Sequence, residues 1–278
     1  MLNDPVSMNE LETNLFLESI FIKYGYDFRN YAKASLRRRI QNLLNKTGLE
    51  YVGELIPLVL YKPDFIDNII NEFSITVSEM FRVPEFFVSL KEKVFTYLDT
   101  YPQIKIWHAG CATGEEVYSL AIMLKEEGLL HKCTIFATDI NNVAISKAKS
   151  AIYSAKNIQK YTRNYQLAKG KNSFADYYHS DYSSAILKHD LQKNITFAHH
   201  NLVTDGVFGE MHLILCRNVL IYFDRKLQNK VLNLFQESLH NRGFLALGSK
   251  ETILFSDISE TFDVIDNKYK VYRKDSSK

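Results

Sequence analysis

At 278 residues with 46% hydrophobic positions, the chain can build one large domain or two modest ones. A net charge of +2 excludes the strong overall basicity of a nucleic-acid or membrane-surface binder. No apolar run approaches the roughly 20 residues that span a bilayer.

Cys111, Cys133 and Cys216 are scattered without metal-ligand spacing, and residues 1–5 lack the basic and apolar regions of a secretory signal. The expectation is a reduced, cytoplasmic protein that holds no metal.

Residues 1–85 read as helices only. Leu36, Ile40, Leu43 and Leu44 share one face of a helix over roughly 29–46, and Phe65, Ile69, Ile70 and Phe73 one over 64–74. Val83-Pro84 closes this region, because a residue before proline is pushed out of helical geometry. A linker helix follows over 86–102. From 103 the pattern alternates: strand Ile104–Ala109, amphipathic helix Glu116–Glu126, strand Cys133–Thr138, helix Asn142–Ser150. Then come strands at Ile195–Ala198 and His212–Cys216, a helix over Lys226–Leu239, and a strand at Phe244–Gly248. Alternation of this kind predicts a parallel sheet covered on both faces. Phe262–Ile265 and Lys268–Arg273, joined by Asp266-Asn267, read as a closing hairpin that adds an antiparallel strand. Such a late reversal suits the class I methyltransferase version of the doubly wound fold. The stretch 155–193 fits neither period and reads as an insertion, with a small hairpin near Tyr177–Leu187.

The turn between the first strand and helix, Gly110-Cys111-Ala112-Thr113-Gly114-Glu115-Glu116, is shaped to approach a nucleotide-like ligand. Glu115 and Glu116 would repel a pyrophosphate at the helix N-terminus. A ligand with hydroxyls and a positive charge, such as S-adenosylmethionine, fits better. Asp139 at the end of the next strand stands where doubly wound folds place an acid against ribose hydroxyls; helix capping is its alternative role. Arg217 and Asn218 follow a strong strand and would face the same crevice, where an asparagine amide suits a zwitterionic group. Asn201-Leu202 offers an amide and an apolar wall. The adjacent His199 and His200 have no metal or nucleophile partners in pattern, so structural roles are expected. Lys23, Arg29, Lys33, Arg37, Arg38, Arg39 and Lys46 face only Asp27 in their stretch, a basic concentration that would steer an acidic partner. It lacks the aromatic platform of a nucleic-acid binder.

Together, Ala109–Leu120, Ala137-Thr138-Asp139-Ile140, Cys216–Phe223, Phe73–Arg82 with Pro84, and Leu247-Gly248-Ser249-Lys250-Glu251 resemble the CheR family of chemotaxis receptor methyltransferases. The resemblance covers about residues 20–273. It implies a helical N-terminal domain (1–85), the linker, and an S-adenosylmethionine domain (103–278) with a β insertion at about 174–193. It implies that Thr76, Ser78, Arg82, Gly110, Glu116, Asp139, Asn201, Leu202, Arg217 and Asn218 bind the cofactor. Arg82 and Tyr222 would then act at the reacting groups, with Arg37, Arg38 and Arg39 docking the receptor. Thr76 and Ser78 stand where the family often has Asn and Thr, while His108 and Ala112 replace commoner serines, a change expected to be harmless. The implied reaction is methyl transfer from S-adenosylmethionine to glutamate carboxylates in the cytoplasmic helical region of chemoreceptors, releasing S-adenosylhomocysteine. A glutamate carboxylate, with a reference pKa of about 4.3, is ionised at pH 7, so no general base is needed. The alternatives are a non-catalytic S-adenosylmethionine sensor and a methyltransferase with another substrate.

Overall fold

Apolar residues change from helical spacing to strand alternation near residue 103, and helices give way there to a sheet. The computed structural model describes residues 8–275; the stretch read for a targeting signal, and the start of the expected helical region, lie outside them. Helices α1 (Met8–Tyr24), α2 (Lys33–Thr47), α3 (Leu55–Tyr61) and α4 (Phe65–Phe73) come first. The expected linker helix begins with α5 (Pro84–Leu90), passes through a π turn at Lys91–Phe95 and ends in α6 (Thr96–Leu98). Pro84 suits the first turn of α5, where its missing N–H costs nothing.

The alternating region then gives β1 (Ile104–Ala109), α7 (Glu115–Glu126), β2 (Cys133–Asp139) and α8 (Asn142–Ser150). An excursion follows: β3 (Ile152–Ser154), α9 (Ile158–Leu167), β4 (Tyr178–Asp181) and β5 (Ser184–Leu187). The chain returns through β6 (Ile195–His199), β7 (Met211–Cys216), α10 (Arg225–Ser238), β8 (Leu239–Leu247), β9 (Phe262–Asp266) and β10 (Val271–Lys274). The main sheet has the order β6-β2-β1-β7-β8-β10-β9. Its first five strands run parallel, while β10 pairs antiparallel with both β8 and β9, as the predicted hairpin requires.

Two sequence expectations need correction. The 155–193 stretch holds α9 as well as the hairpin, and the hairpin recruits β3 into a three-stranded sheet, so the excursion starts earlier than 174. Helix α7 is not amphipathic: every residue from Glu115 to Leu124 is buried. Tyr153, Tyr161 and Phe174 of the excursion belong to the same apolar cluster as its outer face.

Alternation along the strands separates two cores. Ile104 and Ile106 of β1, Leu213 and Leu215 of β7, and Phe244 and Ala246 of β8 pack with α5 and α7. Trp107, Ile214 and Leu245 face the other way, joining α10 and the N-terminal helices. That second core fixes the helical region against the sheet. Phe28 meets Phe73 at 4.9 Å, and Tyr31 meets Phe223 at 5.0 Å. Backbone hydrogen bonds from Ala32 N to Tyr222 O and from Asp224 N to Asn30 O stitch the same seam.

Candidate active site

The crevice opens where β1, β2 and β7 end, because the chain steps outward from β1 on one side and returns on the other. Side chains from the helical region, Tyr31 and Phe73, line it together with residues of the sheet's carboxyl edge, His108 and Asp139. Its floor is the turn after β1. Gly110 N and Cys111 N donate to Thr138 O at 2.8 and 2.9 Å. Gly110 has φ +75°, and a Cβ there would stand 2.5 Å from Val219 Cγ2. Any other residue would be strained and would push the β7 loop away. Gly114, at φ +89°, lets α7 pack against Ala148.

Asp139 holds this turn from the neighbouring strand. Its Oδ2 accepts from Ala112 N at 2.8 Å and its Oδ1 from Asn141 N at 2.9 Å. The helix cap that competed for Asp139 falls to Asn141, whose side chain accepts from Val143 N and Ala144 N. A carboxylate has about four lone-pair sites, so its backbone donors leave room for a hydroxyl donor in the cleft. Burial pushes the Asp139 carboxyl up, with the backbone donors pulling partly back.

Glu116 sits opposite. Burial would raise its carboxyl, but Arg217, His108 and Arg82 together hold it below the usual range. Arg217 Nη1 donates to Glu116 Oε2 at 2.5 Å, and His108 Nε2 lies 3.2 Å from Oε1. The Arg217 guanidinium also lies 3.8 Å from the Phe86 ring centre. Its Nε, and the Nδ1 atoms of His108 and His200, are buried without protein partners. Orphaned polar atoms around a glycine-floored cleft fit a polar, nucleoside-bearing cofactor.

Ile140, Leu202 and Val203 supply an apolar wall. Asn201 Oδ1 accepts from Val203 N at 3.0 Å, so its side chain offers a ligand the NH2. Asn218 reaches the cleft from a backbone at φ 63°. That loop is tied down by Glu251, which accepts from Gly248 N, Asn218 N and Ile221 N at 2.5, 3.0 and 3.3 Å. Sequence reading quoted Glu251 without giving it this part. Tyr222 lines the cleft, as do Tyr31 and Phe73 from the helical region.

Arg82 enters from the segment joining the two regions, between Phe81 (φ 53°) and Val83 (φ 57°). A β-branched residue there is an outlier, costing about 1–3 kcal/mol. Packing offsets it: Phe81 is fully buried, its N–H donates to Ser119 Oγ at 2.8 Å, and its ring meets Phe87 and Tyr165 at 5.3 Å. Among the described residues no hydrogen bond or ion pair engages the Arg82 guanidinium, which lines the cleft. Ser78 lines it too.

Three sequence expectations meet their surroundings here, and the last of them is corrected. Thr76 is not among the cleft residues; its carbonyl accepts a long 3.5 Å hydrogen bond from Thr113 Oγ1 beside the turn. His200 is a cleft residue, kept neutral by burial against Trp107 and Phe208. Arg39 cannot face a receptor, being 3% exposed. Its Nη1 donates to Glu72 O at 2.6 Å, its Nε donates to Ser35 Oγ at 3.0 Å, and its guanidinium lies 5.3 Å from the Tyr222 ring centre. The rest of the basic run is largely engaged internally, with Arg29 on Glu18 and Asp27, Lys33 on Glu10 and Lys46 on Glu72. Among the described residues Arg37 and Arg38 stay exposed without an ion pair.

The sheet order and the cleft at its carboxyl edge define a class I methyltransferase. The family model described as CheR methyltransferase, SAM binding domain, matches residues 76–271, and that described as CheR methyltransferase, all-alpha domain, matches residues 11–74. The chain belongs to the CheR methyltransferases and is an S-adenosylmethionine-dependent methyltransferase. It is 47% identical over 265 residues to a candidate methyltransferase of Pseudomonas putida, Cher3, covering 95% of this chain and 97% of that one. It is 29% identical to the chemotaxis protein methyltransferase of Listeria monocytogenes, over 83% of this chain and 86% of that one. The chemotaxis protein methyltransferase of Borreliella burgdorferi is 28% identical, over 90% and 91%. No helix among the described residues is long and apolar enough to cross a membrane.

Proposed function

We propose that the chain methylates glutamate carboxylates in the cytoplasmic helical region of chemotaxis receptors. The observation that carries this reading is Arg82: a cleft-lining guanidinium held on a strained segment, with no carboxylate hydrogen-bonded or ion-paired to it among the described residues. S-adenosylmethionine, when bound, supplies an electrophilic methyl group on a sulfonium. The chain's own residues then orient and desolvate two reactants. Asp139 would take ribose hydroxyls; Ser78, Gly110, Glu116, Asn201, Leu202, Arg217 and Asn218 would line the rest of the cofactor site. Arg82 would orient the incoming carboxylate through a two-pronged hydrogen bond, and Tyr222 would hydrogen-bond beside it. A carboxylate is already ionised at neutral pH, so no group in the cleft has to remove a proton. Membership of a family whose relatives are named chemotaxis protein methyltransferases supports the substrate class.

The test is tritiated-methyl transfer to receptor cytoplasmic fragments, scored as label released by alkali. Methyl esters release it; a base-stable product, or none from protein that binds S-adenosylhomocysteine, would refute the reading.

Residues 1–85 are the docking region in this proposal, with Arg37 and Arg38 as its exposed cations. Replacing both by alanine should weaken receptor engagement and flatten its salt dependence, leaving fold stability and S-adenosylhomocysteine affinity unchanged. Arg39→Ala should instead destabilise the fold by about 1–3 kcal/mol in urea titrations, since it removes a buried donor from Glu72 O. Equal behaviour of all three arginines in these assays would contradict the assignment.

A further inference from the structure

We infer that His108 is a cofactor-binding residue, its Nδ1 accepting a hydrogen bond from the α-ammonium group of S-adenosylmethionine. The residue is the penultimate one of β1 and shares the face of Ile104 and Ile106, which points toward α7. That places its ring against Glu116 in the first turn of α7. The ring is 3% exposed and lines the cleft.

Glu116 fixes the tautomer. Its carboxyl lies below the usual range because the Arg217 charge and the His108 hydrogen bond work against burial. It is therefore ionised at neutral pH and can only accept hydrogen bonds. The contact at 3.2 Å then requires the proton on His108 Nε2. Arg217 already meets the Glu116 charge at 2.5 Å, so one N–H on Nε2 completes the contact and Nδ1 keeps its lone pair as an acceptor. Nδ1 is buried and has no protein partner, an unfavourable state that a ligand donor would relieve.

The surroundings select the donor. Glu116 touches the His108 ring and Asp139 lines the same cleft, and Arg217 is already paired with Glu116. An acceptor atom in that field suits a cationic N–H group and repels a carboxylate. On S-adenosylmethionine the α-ammonium is the group with both an N–H and a positive charge. A serine at this position, as the resemblance leads one to expect, would have a shorter reach and no fixed tautomer. The histidine makes the site of this chain its own.

Calorimetric titration separates this role from a structural one. The ligands are S-adenosylhomocysteine and its deaminated analogue, which keeps the carboxylate and replaces the ammonium by hydrogen. Wild-type protein should prefer the ammonium-bearing ligand by about tenfold or more. His108→Asn keeps an acceptor near the Nδ1 position and should retain most of that preference. His108→Gln keeps a donor toward Glu116, removes the Nδ1-like acceptor, and should bind the two ligands equally. Retention of the preference in His108→Gln, or an equal loss of affinity for both ligands, would overturn the inference. So would a wild-type protein that does not distinguish the ligands. Should His108→Gln fail to fold, as read by circular dichroism, His108→Ser serves the same comparison with the same outcomes.

Discussion

Arg82→Ala is expected to lower kcat for methyl transfer by about 100- to 1000-fold, the usual loss when one preorganised donor leaves a reaction centre. Affinity for S-adenosylhomocysteine should change far less, because Glu116 keeps its direct contacts to Arg217 and His108 when Arg82 is removed. Arg82→Lys should fall between, keeping the charge but losing the planar fork that holds a carboxylate at two points. Single-turnover rates beside calorimetric affinities would show the split. The backbone sharpens the test. Phe81 and Val83 are held in the left-handed region by the burial of Phe81 among Phe87, Tyr165 and Phe174. Phe81→Ala should let the segment relax and lose much of the same rate while the guanidinium is still present. Wild-type turnover in Arg82→Ala would remove this residue from the chemistry and leave Tyr222 to carry the orientation.

The basic run of α2 shows where sequence reasoning reaches its limit. A helical wheel places Arg39 on the flank of α2, and a flank is exposed or covered according to what packs there. Here the carbonyl of Glu72, at the end of α4, captures it. No local rule announces a contact between residues 33 apart. The floor of the cleft was legible for the opposite reason. Strand period, two glycines and an acid at the next strand end are local, and the parallel sheet brings them together with little freedom. Asp139 was placed correctly but its work was only half seen, because its grip on Ala112 N depends on the turn's conformation. Helix α9 did leave a trace: Ile158, Tyr161 and Tyr165 stand at i, i+3 and i+7. Lysine, asparagine and serine around them masked the period. Strand β3 has three residues and exists through pairing with β5, so nothing local could reveal it. His108 looked like a harmless replacement, since residue type alone cannot show a ring nitrogen without a partner.

The largest stability effect is expected at the Glu116–Arg217 pair, where both side chains are almost fully buried. Arg217→Met should destabilise the fold by about 3–5 kcal/mol, because it leaves a buried carboxylate facing only His108 and the more distant Arg82. The double variant Glu116→Gln, Arg217→Met removes both charges and should recover much of that loss, while cofactor affinity stays low. The pH dependence distinguishes the two variants. In the wild type the Glu116 carboxyl is lowered in the fold, so its contribution is present above the ordinary carboxylate range and is lost as pH falls through the folded value. In Arg217→Met the burial penalty loses its main opponent and Glu116 should be raised. Its cost should then be greatest at neutral pH and relieved by protonation on acidification. Glu115, Asp139 and Glu251, all raised mainly by burial, have this second sign in every variant and cancel from the comparison. Urea midpoints at pH 7 and pH 5 should show Arg217→Met closing on the wild type at the lower pH, with the double variant holding a nearly constant offset. A gap that widened on acidification would mean that Glu116 is not the ionised partner of Arg217, and the hydrogen-bond roles assigned above to the two His108 nitrogens would lose their basis.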